Sequence, residues 1–330
     1  MIDCLIVGAG LAGLTAARQL RAHGRTVLIL DKGRGVGGRL ATRRIELADG
    51  RQAICDHGAQ FFTVRSPRFA ALVAEWEQAG VAAVWAHGFP SGSSYFQPDG
   101  HPRYRGQPAM TAVAKYLARD LTIELNSRVT AVRCQPDRWQ LAVADGPVYE
   151  ARALLLTLPL PQTLALLGEN VALLSPDAAR MVTAVTYAPC LALMVVLDRP
   201  SQIPAPGALQ IAGEPLDWLA DNQKKGVSPL PAVTIHAGPQ FSATYYEAEA
   251  ATASHLLLAA ARTWLGAANV LASQLHRWRY SKPIQLYPEP CLYVAEPLPL
   301  LLAGDAFSGP RVEGAVLSGL AAADCLLAES

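Results

Sequence analysis

Apolar positions along the chain change period early. Residues 3–7 form a short apolar run that ends directly in glycines, and residues 11–23 then repeat small and apolar side chains at helical spacing. Gly24 stops that helix, and residues 26–30 form a second apolar run. The pattern predicts a strand–turn–helix–strand unit. Residues 66–79 predict another helix, with Ser66 as its cap, Pro67 in its first turn and Phe69, Leu72, Val73 and Trp76 on one face. From 81 to 105 glycine, proline and aromatics predict short strands and loops, and 107–118 returns to helical spacing.

Strands are expected at 122–125, 128–134 and 139–143, at hairpin-like spacing, with a buried strand at 153–158. The middle, about 159–274, mixes helices with Val- and Thr-rich strands, and 247–265 is its longest helix. A strand at 298–303, Gly304-Asp305 and a small-residue helix over 313–327 close the chain. Residues 217–230, with Lys224-Lys225-Gly226 and Pro229, are expected to form a mobile loop.

Composition narrows the class. The 330 residues hold 28 basic and 27 acidic side chains, net +1, and 51% are hydrophobic. Length suggests roughly two domains, and apolar content excludes disorder. Balanced charge gives no footprint for nucleic acid. The longest apolar stretch, 153–167, is broken by Pro159 and Pro161, well short of a membrane span. No basic segment leads an apolar run at the N-terminus, so a cytoplasmic location is expected. Six dispersed cysteines predict reduced thiols, with no metal site.

The chemistry starts at Gly8-Ala9-Gly10-Leu11-Ala12-Gly13, between the first strand and helix. Gly8 permits a tight turn, Gly10 removes a Cβ where a pyrophosphate approaches, and Gly13 brings helix and strand together. The helix start offers free N–H groups to an anion. Asp31, ending the second strand and followed by Lys32, is placed to accept hydrogen bonds from a ribose. Arg34-Gly35-Val36-Gly37-Gly38-Arg39 extends a diphosphate-binding surface. Far downstream come Gly304-Asp305, suited to a ribityl hydroxyl, and Glu313-Gly314-Ala315, a helix start that could face a flavin ring.

Together these motifs resemble the flavin-containing amine oxidase superfamily, and within it the renalase-like oxidases, tightly over 3–65 and 298–327. The resemblance implies an α/β fold of amine-oxidase/p-hydroxybenzoate-hydroxylase type. A discontinuous Rossmann-type FAD domain (1–65, 103–158, 276–330) would carry a mixed α+β substrate domain (66–102, 159–275). It implies non-covalent FAD, with the backbone of Val129 at the adenine. It also implies an oxidase that takes hydride from 2- or 6-dihydroNAD(P) to flavin N5 and passes electrons to O2, giving NAD(P)+ and H2O2. Oxidation of a small amine is the alternative, and a redox-sensing flavoprotein the non-enzymatic one. Partners are the small-molecule donor and O2, without nucleic acid or membrane.

Two departures separate the chain from standard amine oxidases. Only five lysines occur (32, 115, 224, 225, 282), none in a context matching the superfamily's flavin-side lysine. No cysteine follows Gly304 until Cys325, so no covalent flavin attachment is evident. On the substrate side Gln60, His236 and Trp278 are the candidates, His57 reads as a satisfied structural histidine, and Tyr187, Phe62 and Tyr280 could wall a pocket.

Overall fold

β1 (Ile2–Val7), α1 (Leu11–Ala22) and β2 (Val27–Leu30) form the unit that the opening pattern requires, with the two strands parallel. The structure, a computed structural model, describes residues 1–91 and 99–328. Alternate side chains of β1 serve opposite faces. Cys4 and Ile6 join the core under α1, while Leu5 and Val7 enter the core on the far side.

β3 (Thr42–Glu46) and β4 (Gln52–Asp56) pair as a hairpin. α2 (Pro67–Gln78) begins where predicted, the Ser66 hydroxyl accepting from the Phe69 N–H. β5 (Ala82–Ala86) and β6 (Arg103–Gly106) pair antiparallel, and residues 92–98 of the expected strand-and-loop segment lie outside the described residues. α3 (Thr111–Leu117) is shorter than the expected 107–118.

β7 (Thr122–Glu124) corrects the hairpin reading, because it pairs in parallel with β2. Its Ile123 packs on the core that contains Ile29, so burial beside β2 outweighs the local turn pattern. β8 (Val129–Cys134) and β9 (Trp139–Val143) do form a hairpin, and β9 continues antiparallel onto the start of β10 (Val148–Leu156). α4 (Leu160–Leu167) and α5 (Pro176–Ala184) cover this face through Leu160, Leu167 and Val182.

The chain then builds a second, antiparallel sheet from β11 (Tyr187–Leu197), β12 (Ala208–Gln210), β13 (Leu216–Asp221), β14 (Ala232–Ala237) and β15 (Val270–Pro283). The order is β12–β13–β14–β11–β15, with α6 (Pro239–Thr244) and α7 (Ala250–Leu265) between the last two strands in sequence. α7 packs on one face through Leu257, Ala261 and Leu265. Met194 and Val196 on the opposite face meet Ile45, Ala53 and Cys55 of the β3–β4 hairpin. Beside them Trp218 packs with Phe61, Trp85 and Phe89.

β16 (Leu292–Val294), β17 (Leu300–Leu302), α8 (Asp305–Ser308) and α9 (Val312–Ala328) return to the first sheet, whose spine is β16–β17–β10–β1–β2–β7. The expected boundary at 276 falls inside β15, which pairs with β11 along its whole length. Phe69, Val73 and Trp76 of α2 share the core of α1 and α9, although 66–102 was expected with the second sheet.

The mobile loop expected at 217–230 is also corrected. Residues 216–221 are β13, and Asn222, Lys225 and Ser228 of the following turn are buried. Polarity suggested a solvated loop, but these polar groups are used internally. Among the described residues no helix is long and apolar enough to cross a membrane, and no cluster of metal-ligating side chains occurs.

Candidate cofactor and substrate site

At the carboxyl end of β1 the three fingerprint glycines differ in what surrounds them. Gly8 has φ +111°, a conformation that disfavours a side chain. A Cβ at Gly13 would lie 2.1 Å from the Gly8 carbonyl oxygen, whereas one at Gly10 would meet nothing within 4 Å. Leu11 and Ala12 are buried in the first turn of α1, leaving backbone at its tip. The second glycine segment lies against this tip: the Gly37 N–H donates to the Ala9 carbonyl at 2.8 Å, and Gly38 abuts Gly10. Both oxygens of Asp31 accept 2.6 Å bonds, from the Ala9 and Gly33 N–H groups. The Ser127 N–H reaches the Asp31 carbonyl, which brings Val129, at the start of β8, beside the same corner. Lys32 and Arg34 are exposed. An open Cβ position, free α1 N–H groups and a carboxylate at the end of β2 fit a dinucleotide laid over the switch point between β1 and β10.

Arg39 makes several contacts within the protein. Its guanidinium holds both oxygens of Asp305 at 2.7 Å and donates to the carbonyls of Tyr280 and Ser281 at 3.2 Å. It therefore joins the glycine segment to α8 and to β15, and Asp305 balances its charge. Gly304, at φ +146°, lets the chain turn from β17 into α8, and its N–H donates to Ser318. Glu313 is likewise turned inward. Its carboxylate accepts from the Arg65 and Ser66 N–H groups, 2.7 Å at the shortest, and so secures the start of α2. A Cβ at Gly314 would lie 2.1 Å from the Gly309 carbonyl oxygen, so Gly314 and Ala315 begin α9 tight against the loop after α8.

The three substrate-side candidates meet on one stretch of backbone, residues 56–60. Gln60 donates to the Asp56 carbonyl at 2.7 Å and to the Gly58 carbonyl at 3.2 Å. The His57 carbonyl accepts from Trp278 Nε1 at 2.9 Å and lies 3.2 Å from His236 Nε2, which fixes the N–H on that nitrogen. The His57 ring stacks on Trp278, at 5.4 Å between centroids, with His276 at its edge. His57 Nδ1 is buried without a partner, as is Gln60 Oε1, while the ring also meets backbone at Cys55. Burial, reinforced by His276 and Arg43, pushes His57 down to about 3, and burial pushes His236 down to about 4. Phe62 is a core residue stacked on Tyr104, not a pocket wall. Tyr187 and Tyr280 pack edge to face.

Beneath this stretch lies a buried ion pair. Lys225 Nζ is 2.8 Å from Asp56, both side chains fully excluded from solvent. Asp56 also accepts from Thr42 Oγ1 at 2.6 Å and the Met110 N–H at 3.0 Å, and Lys225 lies 4.9 Å from the Trp85 ring centroid. Burial lowers Lys225 from the ordinary lysine range, opposed by Asp56. Sequence alone missed this pair, because its halves are 169 positions apart. It also missed Gly58, where a Cβ would stand 1.9 Å from the Arg39 carbonyl oxygen.

The NAD(P)-binding Rossmann-like domain matches residues 6–76, and the family described as flavin containing amine oxidoreductase matches 79–327. The chain belongs to the flavin-containing amine oxidoreductases. This member is renalase-like, 26% identical to renalase of Mus musculus over 97% of both chains. It is 48% identical to lysine-specific histone demethylase 1 homolog 1 of Arabidopsis thaliana over 61 residues, 18% of this chain and 7% of that one. A putrescine oxidase variant superposes with a TM-score of 0.71 over 99% of both chains at 16% identity, a likeness of fold. The amine oxidoreductase described here is thus an FAD-dependent enzyme with a Rossmann-like cofactor domain.

Proposed function

We propose that this amine oxidoreductase oxidises isomeric dihydronicotinamides, converting 2- or 6-dihydro forms of NAD(P)H to NAD(P)+ while O2 is reduced to H2O2. FAD, held without a covalent bond, supplies the two-electron acceptor. In this reading Gly8, Gly10 and Gly13, with the backbone at Leu11, Ala12 and Gly38, admit the pyrophosphate. Asp31 takes the ribose and the Val129 backbone the adenine. Gly304, Asp305, Gly314 and Ala315 lie on the flavin side, while Lys32, Arg34, Arg39 and Glu313 act from the periphery or by holding neighbouring segments. Gln60, His236 and Trp278 shape the donor's side.

The carrying observation is that the polar groups gathered on residues 56–60 are already engaged: His236 Nε2 and Trp278 Nε1 meet the His57 carbonyl, and Gln60 donates to the Asp56 and Gly58 carbonyls. His57 and His236 are kept uncharged by burial, and the Lys225 amine is bonded to Asp56. A dihydropyridine needs no base, because its ring nitrogen expels hydride as the product becomes aromatic, so the site has to position rather than deprotonate. An amine donor has first to shed its ammonium proton. Anaerobic mixing with 2- or 6-dihydroNAD(P) should bleach the oxidised flavin band rapidly, and bleaching by amines alone would reject the proposal. The amine reading is the second one, favoured by the family description matched over 79–327.

A further inference from the structure

Cys291 lies directly ahead of β16, and Cys325 lies in the last turns of α9. Their sulfurs are 3.8 Å apart across 34 positions of sequence. A disulfide requires about 2.05 Å, so a shift of roughly 0.9 Å by each sulfur closes the gap. The other thiols are placed differently. Cys4, Cys134 and Cys190 turn to the carbonyls of Leu5, Gln135 and Leu191, and Cys55 is enclosed with Met194 and Val196. Cys325 is partly exposed and Cys291 is buried. Asp324, beside Cys325, is paired with Arg68 at 2.6 Å.

We propose that Cys291 and Cys325 are a disulfide-forming site oxidised by hydrogen peroxide, tying the end of α9 to β16. The inference goes beyond the oxidase reading and does not rest on it, since peroxide from any source serves. Cys325, the accessible thiol, attacks one peroxide oxygen; the O–O bond breaks, a sulfenic acid forms and one water leaves. The Cys291 sulfur then attacks the Cys325 sulfur, the S–O bond breaks, and the departing hydroxyl takes the thiol proton as a second water. Two thiols lose two electrons and one peroxide gains them. Burial first, then Cys325 and the carboxylates of Asp324 and Glu289, push the Cys291 thiol up to about 12, which assigns it the second step. Its fixed position beside the sulfenic acid makes up for weak ionisation. The bond closes a loop containing β16, β17, α8 and most of α9, so it restrains the unfolded chain.

The test uses the purified FAD-loaded protein with added hydrogen peroxide and no electron donor. Free thiols are capped with N-ethylmaleimide, and a non-reducing digest is read by mass spectrometry. A linked peptide containing Cys291 and Cys325, with two of the six thiols lost and both restored by dithiothreitol, is expected. Cys325→Ser should abolish the link, Cys134→Ser should leave it, and the oxidised wild type should melt above the reduced form. Six capped thiols after peroxide, or Cys325 carried to a sulfinic acid while Cys291 stays free, would overturn the proposal.

Discussion

A buried imidazole whose Nδ1 has no partner, as in His57, holds a proton poorly, and His236 on the other side of the His57 carbonyl does so too. Both sit far below the ordinary histidine value of 6.5, at about 3 and about 4. Between about pH 4 and 6.5 the unfolded chain therefore binds protons at both positions and the folded chain does not. The stability concerned is fully present above 6.5 and is lost as pH falls through that window. Each histidine steepens the loss by up to about 1.4 kcal/mol per pH unit. Urea unfolding from pH 7 to 4.5 should show the decline, with His236→Asn removing about one histidine's share; an identical slope in the variant would contradict it. Sequence reading picked out Gln60, His236 and Trp278, which do converge, but not their meeting point. They meet largely on backbone carbonyls, which leave no trace in residue identity.

At the scale of elements, what could be read beforehand was what short-range chemistry dictates. Ser66-Pro67 starts α2, and the glycine fingerprint turns β1 into α1. The parallel seat of β7 and the full length of β15 were hidden, because pairing with a distant strand decides them. Two glycines separate packing from cofactor access. Gly319 lies where α9 crosses α1, and a Cβ there would come 2.2 Å from the Ala12 carbonyl oxygen; at Gly10 the space is open. Gly319→Ala, which in an ordinary helix would gain up to about 1 kcal/mol, should instead destabilise the apoprotein by about 1–3 kcal/mol through overpacking. Gly10→Ala should leave apoprotein unfolding unchanged and lower the flavin-to-protein ratio after gel filtration. Normal flavin content in Gly10→Ala would show that the gap is not where the pyrophosphate lies.

For the molecule as a whole, the two sheets are joined by a few polar contacts set among apolar ones. Arg39 reaches from the glycine segment to Asp305 and the β15 carbonyls, and Asp56–Lys225 links the β3–β4 hairpin to the turn after β13. The scarcity of lysine had argued against a superfamily-type lysine, yet one of the five is buried under the 56–60 stretch, so the count no longer weakens the amine reading. Composition could not reveal this, because a lysine beside Gly226 and Pro229 has the local signature of a solvated turn. A fully buried pair is poor at adding stability but costly to break, since removing one partner strands the other's charge. Lys225→Met should therefore cost about 3–5 kcal/mol in urea unfolding. Asp56→Asn combined with Lys225→Met should recover most of that loss, because the remaining amide still accepts from Thr42 and Met110. If the double variant is also low in flavin while its stability has returned, the pair orients residues 56–60 rather than merely holding the sheets together. If flavin returns with stability, its part is mechanical, and the site's geometry is set by Arg39 and the glycines alone.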